Sequence, residues 1–430
     1  MLEDPHAGIA LPVDAFGCWA RMFALPGLSD ALVFAFTMEG KLDLARLAEA
    51  LRRAVTLHHP VASARLERFG GLFYHWRCRP FHAEHYLRGP YRAPRRFDLA
   101  HEPPLRVHVA DDSLAFEMSH VAFDAIGFAR VVRTVLAQYA AFPTLLEPRF
   151  DEIAIRRERA LFAPRPRGVE RNPGRRFVDP IRGAVIARRN DSIVATAGEG
   201  GQGTLHHHLT LALAPLRAAA HARGVTLNDW LGAGCLAAFA EWNRRHGARG
   251  RFASVDLPAN LRPAERASWV AANVTGTLTV NLDLGDGTDA PTFDGVLRAF
   301  HDEMARAKAE QRAWSMAPRW PVRDHPTLVS VWLARALTAL VARPLVALGP
   351  TLLLSNFGAL DGLTGTFGDL GLTQLRVEGS AYPIWTVNAV SPADHTLVLS
   401  FCVRKSHFSA DSLAAFASLT QERILAACKS

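Results

Sequence analysis

The sequence is short of several features that mark whole classes of protein. Cysteine is scarce: Cys18, Cys78, Cys235, Cys402 and Cys428 are the only ones in 430 residues. None form a C-x-x-C pair, and an odd number argues against a closed disulfide framework. A reducing cytoplasm is the expected compartment. The N-terminus, Met-Leu-Glu-Asp-Pro-His, has no basic stretch followed by an apolar run, so no signal peptide is expected there. Long apolar runs are missing too. The most apolar stretch, 328–354, is interrupted by Arg335, Arg343, Pro344, Gly349 and Pro350. What remains is shorter than the ~18 residues a transmembrane helix needs. The stretch reads as a core helix, with a membrane-touching helix as the alternative. There is no short-period repeat. Charged residues are 21% and hydrophobic residues 49%, which excludes a disordered or collagen-like chain. A net charge of +8 is modest for a nucleic-acid binder of this length, and no nucleic-acid partner is expected.

What is present is an alternation of strand and helix signals in both halves. Ala31–Met38 is an apolar strand, followed by a helix from about Asp43 to His58 that Pro60 stops. Leu105–Val109 and Leu114–Met118 read as strands around the turn Asp111-Asp112-Ser113, and a helix runs from about Gly127 to Ala141. The second half opens on strand-like Leu205–Leu213 and a helix from about Ala214 to Ala222. Thr226-Leu227-Asn228-Asp229 then caps a helix over Trp230–His246. Strand signals recur at Ser254–Leu257, Thr277–Leu282, Leu352–Leu354, Trp385–Val390 and Thr396–Phe401, and a last helix spans Ser409–Lys429. The spacing predicts a mixed α/β protein with an N-terminal lobe (1–155), a crossover (156–203) and a C-terminal lobe (204–430).

The crossover holds the charge. Between 156 and 189 there are eleven arginines and three acids, a surplus equal to the net charge of the whole protein. The rest of the chain is electrically neutral. Such a segment is either a solvated linker or a dock for an anionic partner.

The informative motif is Phe116-Glu117-Met118-Ser119-His120-Val121-Ala122-Phe123-Asp124-Ala125-Ile126-Gly127. A strand ends, a histidine stands at its mouth, an aspartate follows four residues later, and a helix begins. Loops of this kind carry function on a rigid scaffold. By itself H-x-x-x-D is a weak signal, because such spacings arise by chance. Other segments join it: Phe97-Asp98-Leu99 with Pro104-Leu105-Arg106; Gly40-Lys41-Leu42-Asp43 to Leu51; His59-Pro60; Gly224-Val-Thr226-Leu-Asn228-Asp229; Leu257-Pro258 to Leu261-Arg262; Asn273-Val-Thr-Gly276; and Ser355-Asn356-Phe357-Gly358. Together, over about 330 residues, they resemble the superfamily of condensation domains and chloramphenicol-acetyltransferase-like acyltransferases. Two positions depart from its HHxxxDG motif: Ser119 stands for the first histidine and Ala125 for the glycine.

The resemblance implies two acetyltransferase-like α/β lobes, a V-shaped pseudo-dimer with an active-site tunnel between them. It implies acyl transfer from a coenzyme A or phosphopantetheinyl carrier-protein thioester to an amine or hydroxyl acceptor, in secondary metabolism. His120 would be the general base. An imidazole with an ordinary pKa near 6.5 accepts a proton at neutral pH, an effect worth about 10²–10⁴ in rate. Asp124 would be structural and pair with Arg262, with Ser119 and Gly127 supporting the same loop. Asn273, Ser355 and Asn356 would stand on the tunnel side, and Arg171, Arg175 and Arg176 would dock an acidic carrier protein or coenzyme A phosphates. No permanently bound cofactor is implied. No adenylation or carrier segment is visible, so a free-standing monomer is expected. A wax-ester or alcohol O-acyltransferase and a catalytically silent carrier-docking module are the rival readings, and a metal hydrolase is a remote one.

Other features read as structure. His206-His207-His208 on a strand cannot converge on one ion, since neighbours point to opposite faces, and exposed strand histidines are expected. Asp411-Ser412-Leu413 reads as a capped helix start, and Trp314, Trp320 and Trp332 as core or channel aromatics. Gly362, Gly365, Gly368 and Gly371 lack the context of a dinucleotide loop and read as a flexible loop.

Overall fold

The computed structural model describes residues 5–12, 29–69, 73–157, 190–196, 198–200, 203–263, 269–285, 291–316, 350–360, 362–379, 381, 385–392 and 395–428. The strands in chain order are β1 (Ala10–Pro12), β2 (Ala31–Gly40), β3 (Ala64–Phe69), β4 (Phe73–Cys78), β5 (Leu87–Arg88), β6 (Leu105–Val109), β7 (Ser113–Ser119) and β8 (Thr204–Ala212). After these come β9 (Phe252–Asn260), β10 (Thr275–Asp283), β11 (Leu352–Ala359), β12 (Gly365–Phe367), β13 (Leu370–Glu378), β14 (Trp385–Ser391) and β15 (Thr396–Arg404). The helices are α1 (Leu44–Arg53), α2 (Ala125–Ala141), α3 (Glu152–Arg157), α4 (Leu213–Ala222), α5 (Leu227–Arg245), α6 (Phe293–Ala309), α7 (Arg312–Met316) and α8 (Ala410–Ala426).

Period-two alternation decides which face of each strand is buried. In β2, Leu32, Phe34, Phe36 and Met38 point into one core, with Phe116 and Met118 of β7 beside them. Leu47 and Leu51 of α1 and Phe128, Val132, Val135 and Tyr139 of α2 close that core from above. Val33, Ala35 and Ala115 face the other way, packed with Tyr91. The second core is built by β9, β11, β14 and β15 against α4, α5, α6 and α8, with Trp230, Phe300, Trp385 and Phe416 among its large members.

Two six-stranded sheets result, in the orders β12-β13-β2-β7-β6-β5 and β10-β9-β11-β14-β15-β8, with a small third sheet, β1-β4-β3. Residues 365–378 come from the second half of the chain yet form two strands of the first sheet. The boundary expected at 203/204 is therefore crossed by a strand pair. The glycine-rich segment expected as a flexible loop is this hairpin. Gly368 takes a φ of 65° in its turn, and β13 runs antiparallel to β2, with Leu372 opposite Met38. Its partner strand lies some 330 residues away in sequence, so local reading misses it. Gly40 permits the approach, since a Cβ there would collide with the Asp369 carbonyl oxygen.

The crossover lies mostly outside the described residues, as do Cys18, Trp320, Trp332 and the apolar run up to 349. Arg156 is an exception: it is buried and ion-paired rather than presented to a partner. Among the described residues no helix is long and apolar enough to cross a membrane.

Candidate active site

β7 delivers His120 to the end of the first sheet. The His120 backbone N–H donates to the Asp30 carbonyl at 2.8 Å, beside the first residue of β2. From the other side, Asn273 Nδ2 donates to the His120 carbonyl at 2.9 Å and to the Val121 carbonyl at 3.2 Å. The main chain of the histidine is thus held between residues from the two halves of the sequence, and the residue is half-buried there. One residue earlier, the buried Ser119 hydroxyl donates to the Asp30 carboxylate and accepts from the Val121 N–H at 3.3 Å. Serine in place of the motif's first histidine therefore ties the strand end to the neighbouring strand.

Asp124 organises the turn that follows. It is the N-cap of α2, and Oδ1 accepts from the Gly127 N–H at 2.7 Å. Arg262 donates to both carboxylate oxygens, Nη2 to Oδ1 at 2.8 Å and Nη1 to Oδ2 at 2.9 Å. Oδ2 also accepts from the Val274 N–H at 2.8 Å and from the Thr275 hydroxyl at 2.9 Å. Burial works against the charge on Asp124, but the Arg262 guanidinium and these donors outweigh it and hold the carboxyl below its ordinary pKa. The second guanidinium nitrogen goes on to the Ala272 carbonyl at 2.6 Å. Residues 138 apart in sequence form one bidentate ion pair.

Gly127 is where this turn needs glycine. An added Cβ would lie 2.7 Å from the Ala272 oxygen and 2.9 Å from its nitrogen. Ala125, by contrast, is simply the first residue of α2. The alanine that replaces the motif's glycine takes ordinary helical backbone there.

The remaining expected site residues are placed as follows. Ser355 is buried on β11 opposite Asn388 of β14. Asn356 Nδ2 donates to Asn228 Oδ1 at 2.6 Å, at the head of α5, and its own Oδ1 accepts from the Gly358 N–H. Asn273 joins His120 directly, whereas Asn356 is engaged with α5. Arg171, Arg175 and Arg176 lie outside the described residues. Asp30 and Thr275 belong to the network without any sequence signal of their own; only strand register puts Asp30 beside Ser119, through the pair Ala31–Ser119.

His206 and His208 are half-buried rather than exposed. They share the face of β8 turned toward Glu378, at 3.7 Å and 3.3 Å, and Tyr91 donates to the same carboxylate at 2.8 Å. His207 points the other way, as strand alternation requires. No group of three or more His, Cys, Asp or Glu among the described residues is arranged to hold a metal.

No family model matches the chain. Two uncharacterized proteins of Mycobacterium tuberculosis, from strains CDC 1551 and H37Rv, are each 28% identical to it over 281 residues, 59% of this chain and 62% of theirs. The matched region thus spans under two thirds of these curated relatives. Solved structures cover nearly all of the chain. The first condensation domain of the calcium-dependent antibiotic synthetase, in complex with a substrate analogue, superposes with a TM-score of 0.67 at 15% identity, over 98% of this chain and 96% of that one. The starter condensation domain of rhizomide synthetase, in complex with C8-CoA and Leu-SNAC, gives 0.65 at 14%, over 97% and 94%. The X-domain from teicoplanin biosynthesis gives 0.61 at 15%, over 97% and 94%. The chain has the condensation-domain fold: two lobes, each with a six-stranded sheet and its helices.

Proposed function

We propose that this protein is a condensation-like acyltransferase of secondary metabolism, forming an amide or ester from a thioester donor. The observation that carries this reading is the double anchoring of His120. Its main chain is gripped by Asp30 and by Asn273, and the buried Asp124–Arg262 pair fixes the loop beyond it. A residue whose main chain is so held presents its side chain from a fixed point, which is what proton transfer at a defined place needs.

In the proposed step the His120 imidazole takes the proton from the acceptor amine or hydroxyl as that atom attacks the thioester carbonyl. The new C–N or C–O bond forms, the tetrahedral intermediate collapses, and the C–S bond breaks. The imidazolium returns its proton to the departing sulfur. No acyl-enzyme is required, in keeping with the lack of a serine or cysteine nucleophile motif. The donor is an acyl group on coenzyme A or on the phosphopantetheine arm of a carrier protein; the rhizomide relative, with its C8-CoA, supports the former. The acceptor is a small amine or alcohol. A tunnel between the lobes, with Ser355 on its wall, and docking of the donor by Arg171, Arg175 and Arg176 belong to the same reading.

A second reading is a silent docking module. It is favoured by the teicoplanin X-domain, which shares the fold and was solved in complex with OxyB. Intact-mass assays of the full chain separate the two. An acyl carrier protein and the matching acyl-CoA are each offered with a panel of amines and alcohols. Transfer of the acyl mass to an acceptor, dependent on the protein, supports the enzyme; carrier binding with no transfer from either donor supports the module.

A further inference from the structure

A second buried ion pair grips the same segment from the opposite side. Glu152 and Arg156 are one turn apart on α3, both buried, with Arg156 Nε donating to Glu152 Oε1 at 2.8 Å. Arg156 Nη2 donates to the Ala271 carbonyl, and Glu152 Oε2 accepts from the Ala271 N–H at 3.3 Å. His59, also buried, spans from Glu152 Oε2 to the Thr134 hydroxyl of α2, at 2.9 Å on each side. Burial opposes the charge on Glu152, yet Arg156 and His59 hold its pKa below the ordinary value.

The two clamps act on consecutive residues. Arg156 and Glu152 take the carbonyl and N–H of Ala271; Arg262 and Asp124 take the Ala272 carbonyl and the Val274 N–H. Asn273 stands between them, and its side chain carries the His120 and Val121 carbonyls. The Asp124 clamp touches the histidine loop itself. The Glu152 clamp reaches it through Asn273.

We propose that His59, Glu152 and Arg156 are positioning residues that set Asn273 and, through it, the main chain of His120. This rests on the reading of His120 as the catalytic base, but its first test does not. Hydrogen exchange followed by mass spectrometry on the full chain compares wild type with Glu152→Gln, Arg156→Gln and Arg156→Lys. Exchange should rise about tenfold or more over 270–275 and also over 119–124 in the first two variants, and stay unchanged in α5. Arg156→Lys, which keeps the charge and a donor, should fall nearer to wild type. A rise at 270–275 with 119–124 unchanged would overturn the proposal. If the glutamine variants fail to fold, Arg156→Lys and Asn273→Ala carry the same comparison. In turnover, Glu152→Gln should lower kcat with little change in the donor KM and add no further loss in the Asn273→Ala background; multiplicative losses would also overturn it. Undiminished turnover by His120→Ala would sink the catalytic reading alone, leaving the exchange result to judge the clamp.

Discussion

At the scale of single residues, the site depends on groups with no spare partners. Asp124 receives five donated hydrogen bonds, two of them from Arg262. Asp124→Asn removes the charge and leaves a buried guanidinium uncompensated, which costs about 3–5 kcal/mol. Urea unfolding at neutral pH measures it; a loss under about 1 kcal/mol would mean that the pair is not load-sharing in the folded state. The pH dependence has a definite sign. Because the folded pKa of Asp124 is lowered, its contribution is full above the unfolded value near 3.9 and is lost as pH falls below it. The gap between wild type and Asp124→Asn should therefore narrow in acid. Gly127→Ala tests the close approach to Ala272. Overpacking of this kind costs about 1–3 kcal/mol, and we expect a lower Tm together with weakened turnover; a variant equal to wild type in both would show that the loop accommodates a methyl group. The departures at Ser119 and Ala125 read differently once placed. One is a strand tie and the other a helix start, so neither removes a contact on which the Asp124 network rests.

At the scale of elements, Glu378 at the end of β13 joins the first sheet to β8 of the second, through His206 and His208. Burial pushes against both charges. The His208 hydrogen bond, the His206 charge and the Tyr91 hydroxyl nonetheless bring Glu378 to about 2. His206 is carried to about 9 against its burial by the Cys402 sulfur, the Glu378 carboxylate and the Gly379 carbonyl. A lowered carboxylate stabilises above its unfolded pKa, near 4.3, and loses that as pH falls toward about 2. A raised histidine stabilises below about 6.5 and loses that as pH rises through about 9. The Tm difference between wild type and Glu378→Gln should then be largest between about pH 4.3 and 6.5 and shrink on both sides. A difference independent of pH would show that the contact is steric.

Elements were legible where the pattern is local. Asp43 and Ser409 cap α1 and α8 at the expected helix starts. Thr226 and Asp229 form the capping box of α5, which begins at Leu227 rather than Trp230, and α2 begins at Ala125 behind the Asp124 cap rather than at Gly127. The β3–β4 hairpin and α6 lie outside the sequence motifs, although Val296, Leu297, Phe300 and Met304 of α6 recur at helical spacing. The β12–β13 hairpin is hidden from local reading because its glycines resemble a loop and its partner is the distant β2. The Asp124–Arg262 pair was reachable through the resemblance alone. The Glu152–Arg156 clamp was not reachable, because an i, i+4 pair at the edge of an arginine-rich segment looks like solvated surface until burial is known.

At the scale of the whole molecule, the two halves are not separable bodies. β13 is paired along β2, so the first sheet needs residues 365–378 to be complete. A fragment of residues 1–203 would expose β2 as a long apolar edge, a liability for association. Expressed alone, 1–203 should show no cooperative thermal transition and should aggregate. A sharp two-state melt of the isolated fragment would contradict the interlocked arrangement. The surplus of arginine also changes meaning at this scale. Arg156 belongs to the interior, so the proposed docking role would fall to the other arginines of the segment, Arg171, Arg175 and Arg176 among them.

In the proposed function the scaffold serves to place one imidazole. Single-turnover acyl transfer by His120→Ala, with donor binding measured on the same sample, tests it most directly. With His120 as the base, the variant's rate falls by about 10²–10⁴ with donor affinity within about twofold of wild type. An unchanged rate at unchanged affinity would contradict it.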